Sequence, residues 1–201
     1  MSEATAIAPV SDRWRRIKLI AAASAAACLI LIAAFAGWAV SLGPLPLAQV
    51  RQVSTTIVDR NGKLLRAYAM ADGRWRLPVD ARTSVDLGYL KLLLAYEDRR
   101  FRAHAGVDPL ALGRAAFQLV TRGHIVSGGS TITMQLARLL EPRRERSVQA
   151  KLRQMVRALE LERQLTKDQI LDLYLTLAPY GGNLEGIRAA SIAYLGKEPK
   201  R

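Results

Sequence analysis

From Leu19 to Val40 the chain reads LIAAASAAACLILIAAFAGWAV, 22 residues without a charged side chain. Wound as a helix this run is ~33 Å long, enough to cross a hydrocarbon core of ~30 Å. A segment of that length and character restricts the N-terminal part of the chain to a membrane-spanning helix or an export leader. Leaders carry apolar regions of only about 7–15 residues, which favours the uncleaved anchor. SAAAC, ending at Cys28, resembles a lipoprotein cleavage box, but Ala25 stands where a larger aliphatic residue is usual. Arg13, Arg15, Arg16 and Lys18 precede the run and place the N-terminus in the cytoplasm by the positive-inside rule. Trp14 and Trp38 flank the span and read as interfacial aromatics or as plain apolar filling.

The anchor determines how the remaining charge is read. Residues 1–50 hold four basic and two acidic side chains, so +11 of the net +13 belongs to residues 51–201. A strongly basic domain exported beside a membrane suits anionic headgroups, diphosphates or acidic polymers. Export excludes nucleic acid as the habitual partner of such charge. The single cysteine, Cys28, lies inside the apolar run, so the exported part has no disulfide and relies on a packed core. The expected organisation is a basic N-terminus over residues 1–18, an anchor over 19–40, a linker over 41–50 and one domain over 51–201.

Within the domain, STTIVDRNGKLLRAYAM reads as two short strands around Asn61-Gly62, a hairpin signal. DGRWRLPVD continues in extended form, and Pro78 argues against helix there. From Val85 the periodicity turns helical. A first helix is expected over about Val85 to Arg102. A second starts at Asp108-Pro109 as N-cap and first turn, and stops at Gly123. SGGST at 127–131 caps a third, which ends before Pro142. RRERSVQAKLRQMVRALELERQL forms a long charged helix, Thr166 with Gln169 a capping box, and a last helical segment opens near Leu184. The fold class is mainly α with a small β-hairpin appendage and an N-terminal transmembrane helix.

Chemistry concentrates in a few places. Glu97 follows the apolar turn LLLAY, where a carboxylate suits proton transfer; a residue making surface salt bridges is the other reading. Asp98 should point about 100° around the same helix, toward Arg99, Arg102 or His104. The glycine pair and hydroxyls of SGGSTITMQLAR, at a helix start, suit an anion, but the lysine and spacing of a P-loop are missing, and taken alone the string reads as a flexible loop with a helix cap. Lys151, Arg153 and Arg157 on the long helix read as a solvated face or as the wall of a diphosphate groove. His104 and His124 are the only histidines, so no Ser-His-Asp constellation or Cys/His metal cluster can be built.

Four strings in this order, EDRRFRAHAGVDP, GGSTITMQLAR, KLRQMVRALELE and ILDLYLTLAPYGGNLEGIRAAS, resemble glycosyltransferase family 51. That family is the peptidoglycan polymerase domain of class A penicillin-binding proteins. DGRWRLPV and KLRQMVRALELE look most like its penicillin-binding protein 1C branch. The resemblance implies a lysozyme-like helical fold with a groove between lobes and a membrane-proximal jaw. It implies polymerisation of lipid II into glycan strands, with inversion and release of undecaprenyl pyrophosphate, at the periplasmic face of the bacterial inner membrane. Glu97 matches the catalytic base. Lys151 matches a cation that neutralises pyrophosphate. Asp98, Arg102, His104, Ser130, Thr131, Gln135, Arg138 and Gln154 fall at substrate-binding positions of the motifs. No cofactor is implied beyond an optional divalent cation, Mg or Mn, and other cell-wall synthesis proteins are the expected partners.

Two departures stand out. Gln154 occupies the position of a second glutamate, with Glu160 and Glu162 as the nearby acids, and Met134 replaces a frequent glutamine. Family members continue past the position of Arg201, and no S-x-x-K or K-T-G transpeptidase motif occurs, so the domain is expected to be C-terminally incomplete. A non-catalytic lipid II binder or scaffold, and a lysozyme-like glycosidase, are the rival classes.

Overall fold

The computed structural model describes residues 10–124, 128–142 and 147–200, without the side chains of residues 10–12 and 49. Ser127 of the glycine-rich loop and residues 143–146 of the charged segment lie outside the described residues. The chain forms two compact units, Met1–Pro44 and Leu45–Arg201.

The first unit is one helix, α1, Val10–Ser41. Its stretch from Arg13 to Ser41 is long and apolar enough to cross a membrane. The helix takes in the basic residues as well as the apolar run, because arginine and lysine are good helix formers and no proline or glycine lies between Val10 and Leu19. It ends where Gly43 adopts a positive φ ahead of Pro44. The second unit begins inside the segment expected as a linker. Leu45, Leu47 and Val50, around the short helix α2 (Leu47–Val50), pack on the core.

The hairpin forms as expected from strands β1 (Thr56–Val58) and β2 (Leu64–Ala67). Its turn starts earlier than Asn61: Gly62 N–H donates to Asp59 C=O, and Asp59 N–H to Lys63 C=O. That pair of bonds describes a four-residue turn with glycine as the bulge residue, so Asn61-Gly62 closes the turn. The extended piece after it contains β3 (Trp75–Arg76), which pairs in parallel with β4 (Leu184–Glu185). Leu184 therefore opens a strand, and the last helix, α8, runs Ile187–Leu195.

Between these strands lie α3 (Leu87–Glu97), α4 (Pro109–Arg122), α5 (Ile132–Leu140), α6 (Val148–Gln164) and α7 (Lys167–Leu177). The local start signals hold. Asp108, Thr131, Ser147 and Thr166 each cap a helix with a side-chain oxygen, and Thr166 and Gln169 form both halves of the capping box. The first helix is shorter than its periodicity suggests: it stops at Glu97, and a separate 3₁₀ turn spans Phe101–Ala103.

α5 is the centre of the unit. It packs against α6 and α7 and buries Ile132, Thr133, Met134, Leu136, Ala137 and Leu140. Met134 is fully buried, which accounts for an apolar residue there. Phe101, Leu161, Ile170 and Leu175 close the same core. Burying one such side chain contributes roughly 1.5–3 kcal/mol, so α5 is held rigidly and its polar residues are held with it.

Candidate active site

The site is assembled on the two ends of α5. At its N-terminus, Asp98 leaves the helical conformation (φ −158°, ψ 75°) and turns its carboxylate inward. Both oxygens lie 3.0 Å from His104 Nε2, and Oδ2 also accepts the Ile132 N–H at 3.0 Å. Gly106 N–H donates to His104 Nδ1 at 3.2 Å, so the ring proton sits on Nε2 and points at Asp98. A carboxylate at a helix N-terminus is favoured by the unsatisfied N–H groups and the helix dipole. These tertiary bonds end α3 at Glu97, with Asp98 as its C-cap. Asp98 thus stays off the helical path expected for it.

The 3₁₀ segment and loop are tied to the same point. Thr131 Oγ1 donates to Gly106 C=O at 2.6 Å and accepts Met134 N–H at 3.1 Å. Gly106 has φ +92°, and a Cβ there would lie 2.6 Å from the Ala158 carbonyl oxygen of α6. Only glycine fits that approach. Asp98, His104 and Thr131 are all buried. Expected at substrate-binding positions, they are buried here and lock the first motif to α5 and α6.

What this lock presents is Glu97. The carboxylate is half-buried and its Oε2 accepts Gln135 Nε2–H at 2.8 Å. Gln135 Oε1 in turn accepts the Tyr174 hydroxyl at 3.2 Å. Glu97 Oε1 has no hydrogen-bond partner among the described residues. A carboxylate fixed through one oxygen and open at the other is arranged to accept a proton.

One turn on from Gln135, Arg138 faces a cavity of about 740 Å³. Its lining includes Arg74, Arg76, Arg138, Lys151, Arg153 and Arg157, against the carboxylates Glu141 and Glu185. Gln154 also lines it, whereas Glu97 does not. The carboxylate and the cationic chamber are therefore neighbouring stations joined by α5. Lys151 Nζ donates to Ser130 Oγ at 2.5 Å, which links the glycine-rich loop to the chamber. Burial, and then the charge of Arg138, hold the Lys151 pKa below the usual lysine value. An anion entering the chamber would counter the Arg138 charge and push the Lys151 pKa back up.

The arginines divide into two kinds. Arg157 is 2% exposed and bonded to Glu141 and Glu160, with Arg153 on the other Glu141 oxygen at 2.7 Å. Arg76 and Arg74 reach Glu185 across the β3–β4 pair. Arg138 has no hydrogen bond or ion pair among the described residues and is exposed in the chamber. Arg102, expected near the substrate, instead binds Asp168 at 2.8 Å together with Arg82, on the surface. Its guanidinium is thus committed outside the chamber. Of the two acids considered as substitutes beside Gln154, Glu160 pairs with Arg157, while Glu162 takes Lys167 and the Thr133 hydroxyl. Neither is in the chamber lining; Glu141 is.

Arg74, Arg76, Glu141 and Glu185 were not singled out from sequence. Arg74 and Arg76 stand two apart in an extended stretch, the spacing that puts side chains on one face. That signal was available. Glu141, by contrast, follows an apolar helix with no local sign of its partners.

Residues 61–201 match the family model described as Transglycosylase. The chain belongs to this transglycosylase family. It is 49% identical over 176 residues, 88% of its length, to penicillin-binding protein 1C of Escherichia coli K12. It is 40% identical over 149 residues, 74% of its length, to penicillin-binding protein 1A of Pseudomonas aeruginosa PAO1. Penicillin-binding protein 1F of Bacillus subtilis 168 is 34% identical over 151 residues, 75% of this chain. The matched regions make up 22%, 18% and 21% of those relatives, so the chain spans about a fifth of their length. The helical unit with its hairpin and the apolar N-terminal helix agree with a transglycosylase domain on a membrane anchor.

Proposed function

We propose that this transglycosylase domain polymerises lipid II into peptidoglycan glycan strands, with inversion at the donor anomeric carbon. The observation that carries the reading is a half-buried carboxylate, Glu97, open at one oxygen and tied through α5 to a chamber lined by six cations. Glu97 takes the proton from the acceptor sugar 4-hydroxyl. The oxygen attacks the donor anomeric carbon from the face opposite the diphosphate. As the new carbon–oxygen bond forms, the bond to the diphosphate breaks and its electron pair leaves on undecaprenyl pyrophosphate. Lys151 and Arg138 meet the charge that develops there, which lowers the barrier where charge changes most. The reaction needs no resident cofactor; a divalent cation such as Mg or Mn is optional and would add positive charge beside the leaving diphosphate. The apolar helix holds the protein in the bacterial inner membrane with its N-terminus cytoplasmic and the domain periplasmic, alongside cell-wall synthesis proteins.

The test is polymerisation of lipid II in detergent by this chain and by Glu97→Gln. Strands from the parent and none from the variant support the reading. Equal strand formation by Glu97→Gln would refute it. Soluble muropeptides from existing glycan would identify a glycosidase, and lipid II binding without turnover a scaffold.

A further inference from the structure

Gln135 poses a question of orientation that the reaction depends on. Its amide has two ends of nearly equal shape and opposite hydrogen-bonding character. With Nε2 toward Glu97 it donates to the carboxylate at 2.8 Å. Turned over, it would set a carbonyl oxygen against a carboxylate oxygen, an arrangement tolerated only when Glu97 carries a proton and donates it. A glutamate holding a proton for that purpose cannot accept one from the acceptor sugar.

The group at the other end of the amide favours the first. Tyr174, on the buried face of α7, puts its hydroxyl 3.2 Å from Gln135 Oε1 and is 8% exposed. We propose that Tyr174 is a positioning residue for proton transfer: by donating to Gln135 Oε1 it holds the amide hydrogens on Glu97 and keeps that carboxylate a base. This inference rests on Glu97 acting as the base. Burial and then the charge of Glu97 push the Tyr174 phenol up to about 12, so it keeps its proton and remains a donor at working pH.

The other charged and titratable groups do not duplicate this role. Tyr89 of α3 and Tyr180 spend their hydroxyls on one another at 2.6 Å. Asp98 is committed to His104 and the Ile132 N–H. Arg138, one turn along α5, acts on Tyr174 and Lys151 through its charge and makes no hydrogen bond to Gln135. Tyr174 and Gln135 therefore act in series on one oxygen of Glu97.

The experiment compares pH–rate profiles of lipid II polymerisation for the full chain in detergent, with Tyr174→Phe, Gln135→Met and the double variant. Removing the donor to the carboxylate should move the acid limb of the profile to higher pH by about one unit, a rate loss of roughly tenfold on the acid side and much less above the optimum. Gln135→Met should give the same displacement, and the double variant no more than Gln135→Met alone. Limb position is read within each variant, so it does not depend on the fraction that folds. An acid limb left in place by Tyr174→Phe, or displacements that add in the double variant, overturns the inference. An active Glu97→Gln instead refutes the proposed base. An inactive Glu97→Gln beside an undisplaced Tyr174→Phe profile refutes only the role given to Tyr174.

Discussion

Gly106 is the point at which the first motif, α5 and α6 meet, and the cost of altering it follows from its surroundings. In Gly106→Ala the new Cβ would stand 2.6 Å from the Ala158 carbonyl oxygen, 2.8 Å from its carbonyl carbon and 3.0 Å from Glu162 Cγ. The first two atoms belong to the backbone of α6 and cannot swing away. A positive φ costs a side-chain-bearing residue about 1–2 kcal/mol. Overpacking against a rigid neighbour adds roughly 1–3 kcal/mol. Relief requires moving Gly106, whose N–H holds His104 and whose C=O holds Thr131. The expected loss is therefore about 2–5 kcal/mol, a fall of roughly 4–20 °C in melting temperature for a domain of this size. Gly113→Ala is the control. Gly113 lies in α4 with nothing within 4 Å of an added Cβ, and alanine there should stabilise by about 0.5–1 kcal/mol. Thermal and denaturant unfolding of both variants of the full chain in detergent gives the comparison. Melting of Gly106→Ala within a degree of the parent would refute the close approach and the lock built on it.

Two further outcomes follow from the chamber. Lys151→Met should lower kcat/KM for lipid II polymerisation by about 10²-fold while melting changes little, because it removes a cation aimed at the leaving group; a variant as active as the parent would exclude Lys151 from that role. Glu141 is desolvated by burial, yet bonds to Arg153 and Arg157 outweigh this and hold its pKa below its ordinary 4.5. Its stabilising effect is then present above about pH 4.5 and lost as pH falls through the lower folded value. Glu141→Gln should destabilise the domain at neutral pH and flatten the stability–pH curve on the acid side. An unchanged slope in acid unfolding would show that the ion pairs contribute nothing.

The parts of this protein that local chemistry governs were readable from the chain. The 22-residue apolar run defines a helix by composition alone. Asp108-Pro109 with Gly123 bounds α4, and Thr166 with Gln169 starts α7, because a cap and its N–H partners lie within one turn of chain. The ordered motifs pointed to Glu97, Gln135 and Lys151, and the fold sets Gln135 on Glu97 and Lys151 in the chamber lining. Other features arise only when distant segments meet. Periodicity carried the first helix on to Arg102, but Asp98 exchanges helical geometry for bonds to His104 and to Ile132, 34 residues away. Arg76 finds Glu185 across 109 residues through a two-residue parallel pair. Arg102 turns to Asp168, 66 residues on, and away from the site. Gln154 looked like a missing acid, and the fold instead brings Glu141 into the same chamber, charged and held by two arginines. Charge in a sequence says how many partners a domain must find. Which partner each side chain takes is settled by packing around α5, since burial makes an unpaired charge costly and only the folded core fixes who stands within reach.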